Sequence, residues 1–83
     1  MFLSVEISYT PLEGEFKKPV REVIQRLQKS GLDVHPGPMS TQLFGPYKEV
    51  MKVVDETLEW SFEHHGKGVF NASFYLGDRR SGD

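Results

Sequence analysis

Cysteine is absent from the 83 residues, which removes disulfide staples and thiolate metal sites at once. No apolar run approaches the ~18 residues of a transmembrane helix. The opening Met1-Phe2-Leu3 has neither the length nor the basic lead of a signal peptide. Basic charge is not in excess either: 10 Lys and Arg against 12 Asp and Glu give a net charge of -2. Nucleic-acid binding by phosphate neutralisation needs a basic surface, so that class is not expected. No repeat, low-complexity tract or linker divides the chain. One soluble domain over residues 1–83 is expected, cytoplasmic by default and without a membrane partner. Such a small core supplies only ~3–5 kcal/mol unless stapled. With both kinds of staple excluded, self-association is the remaining source of stability.

The 37% hydrophobic and 27% charged residues that are present fall into periodic stretches. Residues 2–9 (FLSVEISY) alternate, with Leu3, Val5 and Ile7 on one face and Ser4, Glu6 and Ser8 on the other, as a half-buried strand does. After a loop at 11–15 (PLEGE), a helix is expected to open near Pro19, which the first turn tolerates. Val20, Val23, Ile24 and Leu27 make its apolar stripe, and Gly31 suits its C′ position. Residues 32–36 (LDVHP) read as an edge strand, because Pro36 cannot donate to a ladder. Residues 40–44 (STQLF) follow too closely for anything but an antiparallel hairpin.

Gly45-Pro46 is expected to end that strand and start a second helix. Tyr47, Val50, Met51, Val54, Leu58 and Phe62 form its predicted stripe, with Val53 and Trp60 as a small apolar patch at the stripe's edge. A last strand over 69–76 (VFNASFYL) directs Phe70, Ala72, Phe74 and Leu76 to the helices and Asn71, Ser73 and Tyr75 away from them. Residues 77–83 read as a polar tail. The order β-α-β-β-α-β predicts an α+β, ferredoxin-like βαββαβ fold: a four-stranded antiparallel sheet with two helices on one face.

The outer sheet face then collects Ser4, Glu6, Ser8, His35, Ser40, Gln42, Phe44, Asn71, Ser73 and Tyr75, and is expected to carry no Lys or Arg at all. A solvated antiparallel face alternates in this way without any ligand. Hydroxyls, amides, one carboxylate and two aromatics can equally bind a polar heterocycle, and short side chains admit a second sheet. Glu6, partly desolvated in such packing, would seek a donor or a cation.

The stretch GPMSTQLFGPY (37–47), the helix KEVMKVVDETLEWSFE, the opening VEISYTPLE and the segment KSGLDV resemble the YkoF-like family of thiamine- and hydroxymethylpyrimidine-binding proteins. The likeness spans residues 4–80 and is most specific over 37–45. It implies ferredoxin-like domains that associate through their sheets into dimers or tetramers. The bound ligand would be thiamine or its hydroxymethylpyrimidine moiety, with no other cofactor. The implied binding set is Glu6, Ser8, Tyr9, Ser40, Thr41, Gln42, Phe44 and Asn71. Glu6 would accept from the pyrimidine amine or balance the thiazolium. The hydroxyls and amides would complete the hydrogen bonds, and Phe44, Tyr9 or Tyr75 would stack, with a cation–π contribution of ~0.5–2 kcal/mol. Thr41 occupies the most family-like position, although alternation turns it inward. Related chains continue past Asp78-Arg79-Arg80, and that segment would bear on closure of the site.

No nucleophile–base spacing or phosphate-binding glycine loop is present, so catalysis is not expected. His64 and His65 read as helix-terminal cations rather than metal ligands. The alternative to a ligand binder is an assembly or regulatory module in which the same face serves only subunit contacts.

Overall fold

The structure, a computed structural model, describes residues 1–80; the last three residues of the expected polar tail lie outside them. Its elements are β1 (Phe2–Pro11), α1 (Lys17–Gln28), β2 (Asp33–Pro36), β3 (Thr41–Pro46), α2 (Tyr47–His65) and β4 (Gly68–Leu76). The sheet order is β2-β3-β1-β4, with every neighbouring pair antiparallel. This is the ferredoxin-like α+β fold. The two apolar central strands lie in the middle, and the proline-ended β2 lies at an edge.

Alternation decides which side of the sheet is dry. Leu3, Val5 and Ile7 from β1 and Leu43 from β3 join Val23 and Leu27 of α1 and Val50 and Val54 of α2 in one buried cluster. Every member lies on the helix side, so both helices cover the same face and the other face is left open. Leu32 and Val34 pack against this cluster from the β2 edge.

Several boundaries depart from the expected ones, and four have a local reason. β1 runs on to Pro11, which pairs with Gly68, and Leu12 then donates to the Lys67 carbonyl at 2.9 Å. α1 begins at Lys17, with Pro19 in its first turn, where backbone N–H groups lack intrahelical acceptors anyway. It ends at Gln28 with Lys29 as C-cap, so the C′ position falls on Ser30 and Gly31, at φ +89°, turns the chain one residue beyond it. β3 continues through Gly45 and Pro46, which pair with Leu3 and Phe2, and α2 follows without a loop. Gly45 permits this because it faces the core: a Cβ there would lie 2.7 Å from Leu32 Cδ2 and 3.3 Å from Val50 Cγ2.

α2 is also rotated from its expected stripe. Its buried line is Val50, Val54, Thr57 and Ser61, while Tyr47 and Phe62 are exposed. Small side chains let two helices approach closely, and α2 packs on α1 as well as on the sheet. Val53 and Trp60, at the edge of the stripe, pack on the core but are only partly buried, and both line the open seam between the helices. β4 is the exposed edge: Phe74 is 48% and Leu76 69% exposed, although both point to the helix side.

Candidate functional site

Strand register determines which side chains meet on the open face. Glu6 lies opposite Gln42 of β3 and Ser73 of β4, which sets a carboxylate between an amide and a hydroxyl. The Ser40 hydroxyl, at the end of the β2–β3 loop, donates to Glu6 Oε2 at 2.9 Å. Ser4 lies between Phe44 and Tyr75, and Ser8 pairs with Asn71 toward the far end.

The residues after β4 complete this face. Gly77, at φ +112°, reverses the chain, and its N–H donates to the Phe2 carbonyl at 2.8 Å. The Ser4 hydroxyl donates to the Gly77 carbonyl at 2.7 Å and accepts from the Arg79 N–H at 2.8 Å. Ser4 is therefore only 6% exposed, as is its neighbour Phe44, on a face whose other side chains are open to solvent or partly so. The Arg79 guanidinium stacks 4.3 Å from the Tyr75 ring centre and donates from Nη1 to the Tyr75 hydroxyl at 2.9 Å. Arg80 pairs with Asp78 at 2.6 Å and Asp33 at 3.1 Å, and lies over the rings of Phe2 and Phe44. Residues 77–80 thus form a strap, and the expectation of a face without Lys or Arg is corrected. The strands carry none, but the strap brings two.

Charge pairing within the strap is well defined. Hydrogen bonds from Arg80 hold the Asp78 carboxyl down at about 2. Asp33 is also lowered, first by its bond to His35 Nε2, 2.8 Å away, and then by Arg80. The Arg80 guanidinium is raised by the same partners. His35 meets Phe44 edge-on at 5.6 Å, so Phe44 is enclosed between His35 and Arg80.

Between strap and strands lies a shallow cavity of about 260 Å³, bounded by Ser4, Glu6, Gln42, Phe44, Ser73, Tyr75 and Arg79. It unites Glu6, Gln42 and Phe44 of the expected set, with Ser40 bonded to its carboxylate. Ser8 and Asn71 lie beyond it on the same face. Tyr9 and Thr41 do not join them, because alternation places both on the helix side. Tyr9 stacks on Phe70 at 4.5 Å, and its buried hydroxyl has no hydrogen-bond partner among the described residues. Tyr9 and Thr41 instead border a second cavity of about 340 Å³, between α1, the end of β1 and the β2–β3 loop, whose mouth Ser8 and Ser40 also reach.

Arg79 is missing from the expected set, Ser73 enters it only as a member of the face, and Tyr75 only as a candidate stacking ring. The sequence signal for Arg79 is a glycine directly after a strand, followed by a basic pair, in a chain whose strand face has no cation. A wider depression, about 850 Å³, runs between α1 and α2 on the opposite side. Side chains of both charges line it, and Arg26 lies over Trp60 at 4.8 Å, as in a solvated helix–helix seam. His64 Nδ1 lies 3.0 Å from the Trp60 carbonyl, and His65 lies beside Glu22. Among the described residues no three His, Asp or Glu side chains converge as a metal site would require, and no helix is long and apolar enough to cross a membrane.

The family of thiamine-binding proteins matches this chain over residues 5–81, nearly its whole length. The chain belongs to that family. Solved structures agree on the fold. A hypothetical protein from Methanocaldococcus jannascii superposes with a TM-score of 0.79 at 23% identity, over 95% of this chain and 84% of that one. A domain of unknown function from Bacillus cereus gives 0.80 at 18%, over 93% and 77%. A Thermotoga maritima protein associated by name with thiamine biosynthesis or salvage gives 0.71 at 21%, over 93% and 85%. No curated protein matches the chain in sequence.

Proposed function

We propose that this member of the thiamine-binding family binds thiamine or its hydroxymethylpyrimidine moiety on the open sheet face, without catalysing a reaction, as a homo-oligomer. The observation that carries the reading is the placement of Glu6. Its carboxylate has the Ser40 hydroxyl on one oxygen, Gln42 and Ser73 on either side, and the rings of Phe44 and Tyr75 bordering the same cavity. The second carboxylate oxygen can accept from an exocyclic amine, the amide can answer the ring nitrogens, and the aromatic rings suit a flat cation. Apposition of a second sheet would exclude water from this shallow cavity and strengthen each of those contacts.

Self-association has its own support. β4 is a nine-residue edge strand with Phe74 and Leu76 exposed beside it. A long apolar edge is a ready template for pairing with another copy. That observation also favours a second reading, an assembly module without a ligand.

Glu6→Gln separates the two. Under the binding reading, calorimetric titration with thiamine gives heat, and the substitution weakens affinity about 10- to 100-fold, as expected for loss of a charged hydrogen bond. The mass in solution stays the same. Absence of heat with both thiamine and hydroxymethylpyrimidine at millimolar concentration refutes the binding reading and leaves the assembly one.

A further inference from the structure

The open-face cavity has opposite charges on its two walls. Glu6 stands on one side, and the Arg79 guanidinium stands on the other, over Tyr75. The two do not form an ion pair: among the described residues, Glu6 is bonded to Ser40 and Arg79 to the Tyr75 hydroxyl. Arg80 differs, since two carboxylates occupy its guanidinium. Of the five N–H donors a guanidinium carries, Arg79 uses only one on a protein acceptor among the described residues.

Its position is nevertheless fixed. Its backbone N–H is held by the nearly buried Ser4, the preceding turn is tied to Phe2, and the next residue is locked by Asp78 and Asp33. The strap therefore uses Arg80 as its fastening and presents Arg79 with donors unoccupied. A fork of donors held in place by the scaffold matches a phosphate or carboxylate better than a mobile lysine does.

We propose that this cavity is selective for an amino-heterocycle carrying a phosphate monoester. The amine faces Glu6, the ring lies beside the exposed Tyr75, and the phosphate is taken by Arg79. This rests on the ligand class proposed above and narrows it to the phosphorylated form. Arg79 is then the specificity-determining residue, and the strap is part of the site rather than a tail.

The test compares thiamine with thiamine monophosphate by calorimetric titration at fixed ionic strength, on the full chain and on Arg79→Gln and Arg79→Lys. The full chain should bind the monophosphate about 10-fold or more tightly than thiamine, the size of a charged hydrogen-bond contribution. That preference should shrink as salt is raised. Arg79→Gln should bring the two ligands to similar affinity, and Arg79→Lys should keep part of the preference, since it retains charge without the fork. Equal affinities in the full chain overturn the proposal while leaving thiamine binding intact. A preference that survives in Arg79→Gln also overturns it, by placing the phosphate elsewhere. Failure of both ligands to bind overturns this proposal together with the reading on which it rests.

Discussion

The strap makes a local prediction that can be worked from its bonds. Ser4→Ala removes one hydroxyl that serves two backbone groups, the Gly77 carbonyl at 2.7 Å and the Arg79 N–H at 2.8 Å. Each bond contributes a net ~0.5–1.5 kcal/mol, so the closed strap should lose about 1–3 kcal/mol relative to the open one. That is a roughly 5- to 150-fold rise in the open population, well short of unfolding the domain. Amide hydrogen exchange followed by NMR measures it. The best reporter is the Gly77 N–H, because the substitution leaves its own acceptor, the Phe2 carbonyl, in place. Leu43, fully buried in the central strand β3, reports global opening. Protection at Gly77 should fall by that factor while Leu43 changes much less. Unchanged protection at Gly77 would refute the reasoning, because the strap would then be held by something other than Ser4. An equal fall at both sites would refute it differently, by making the strap part of the cooperative core.

Other expectations follow from the same structure. Leu27, 1% exposed between α1 and the sheet, should cost about 2–5 kcal/mol when replaced by alanine, read from the denaturation midpoint; a loss under about 1 kcal/mol would mean the site collapses around the gap. The strap's ion pairs set a pH window. Asp78 and Asp33 are both lowered in the folded chain, so their stabilisation is complete above the ordinary carboxylate range and is lost as pH falls through the folded values, about 2 for Asp78. The Arg80 Nε–H resonance, whose proton is donated to Asp78, should therefore hold steady from about pH 5 to 8 and move only between about 4 and 2. A transition near neutrality would show that another group controls the strap.

Period-2 alternation made much of this architecture legible from residues alone. It separated Leu3, Val5 and Ile7 from Ser4, Glu6 and Ser8, and it turned Thr41 inward, away from the polar set to which family likeness had joined it; the structure shows that Tyr9 follows the same rule. Helical periodicity was less decisive for α2. A 100° stripe finds the most apolar side of a helix, but α2 has two neighbours, and close packing favoured Thr57 and Ser61 over Phe62. Gly45-Pro46 looked like a break, because the sequence does not reveal that Leu32 and Val50 would crowd any side chain there.

The sequence by itself determined the order of elements, the dry side of the sheet and the polar character of the other side, since these depend on local spacing and on which residues water will accept. Tertiary structure alone decided the composition of the site. Residues 77–80 are distant in the chain from β1 and β2, and no periodicity connects Arg79 to Ser4 or Arg80 to Asp33. Their meeting depends on a reversal at Gly77 and on one hydroxyl that satisfies two backbone groups.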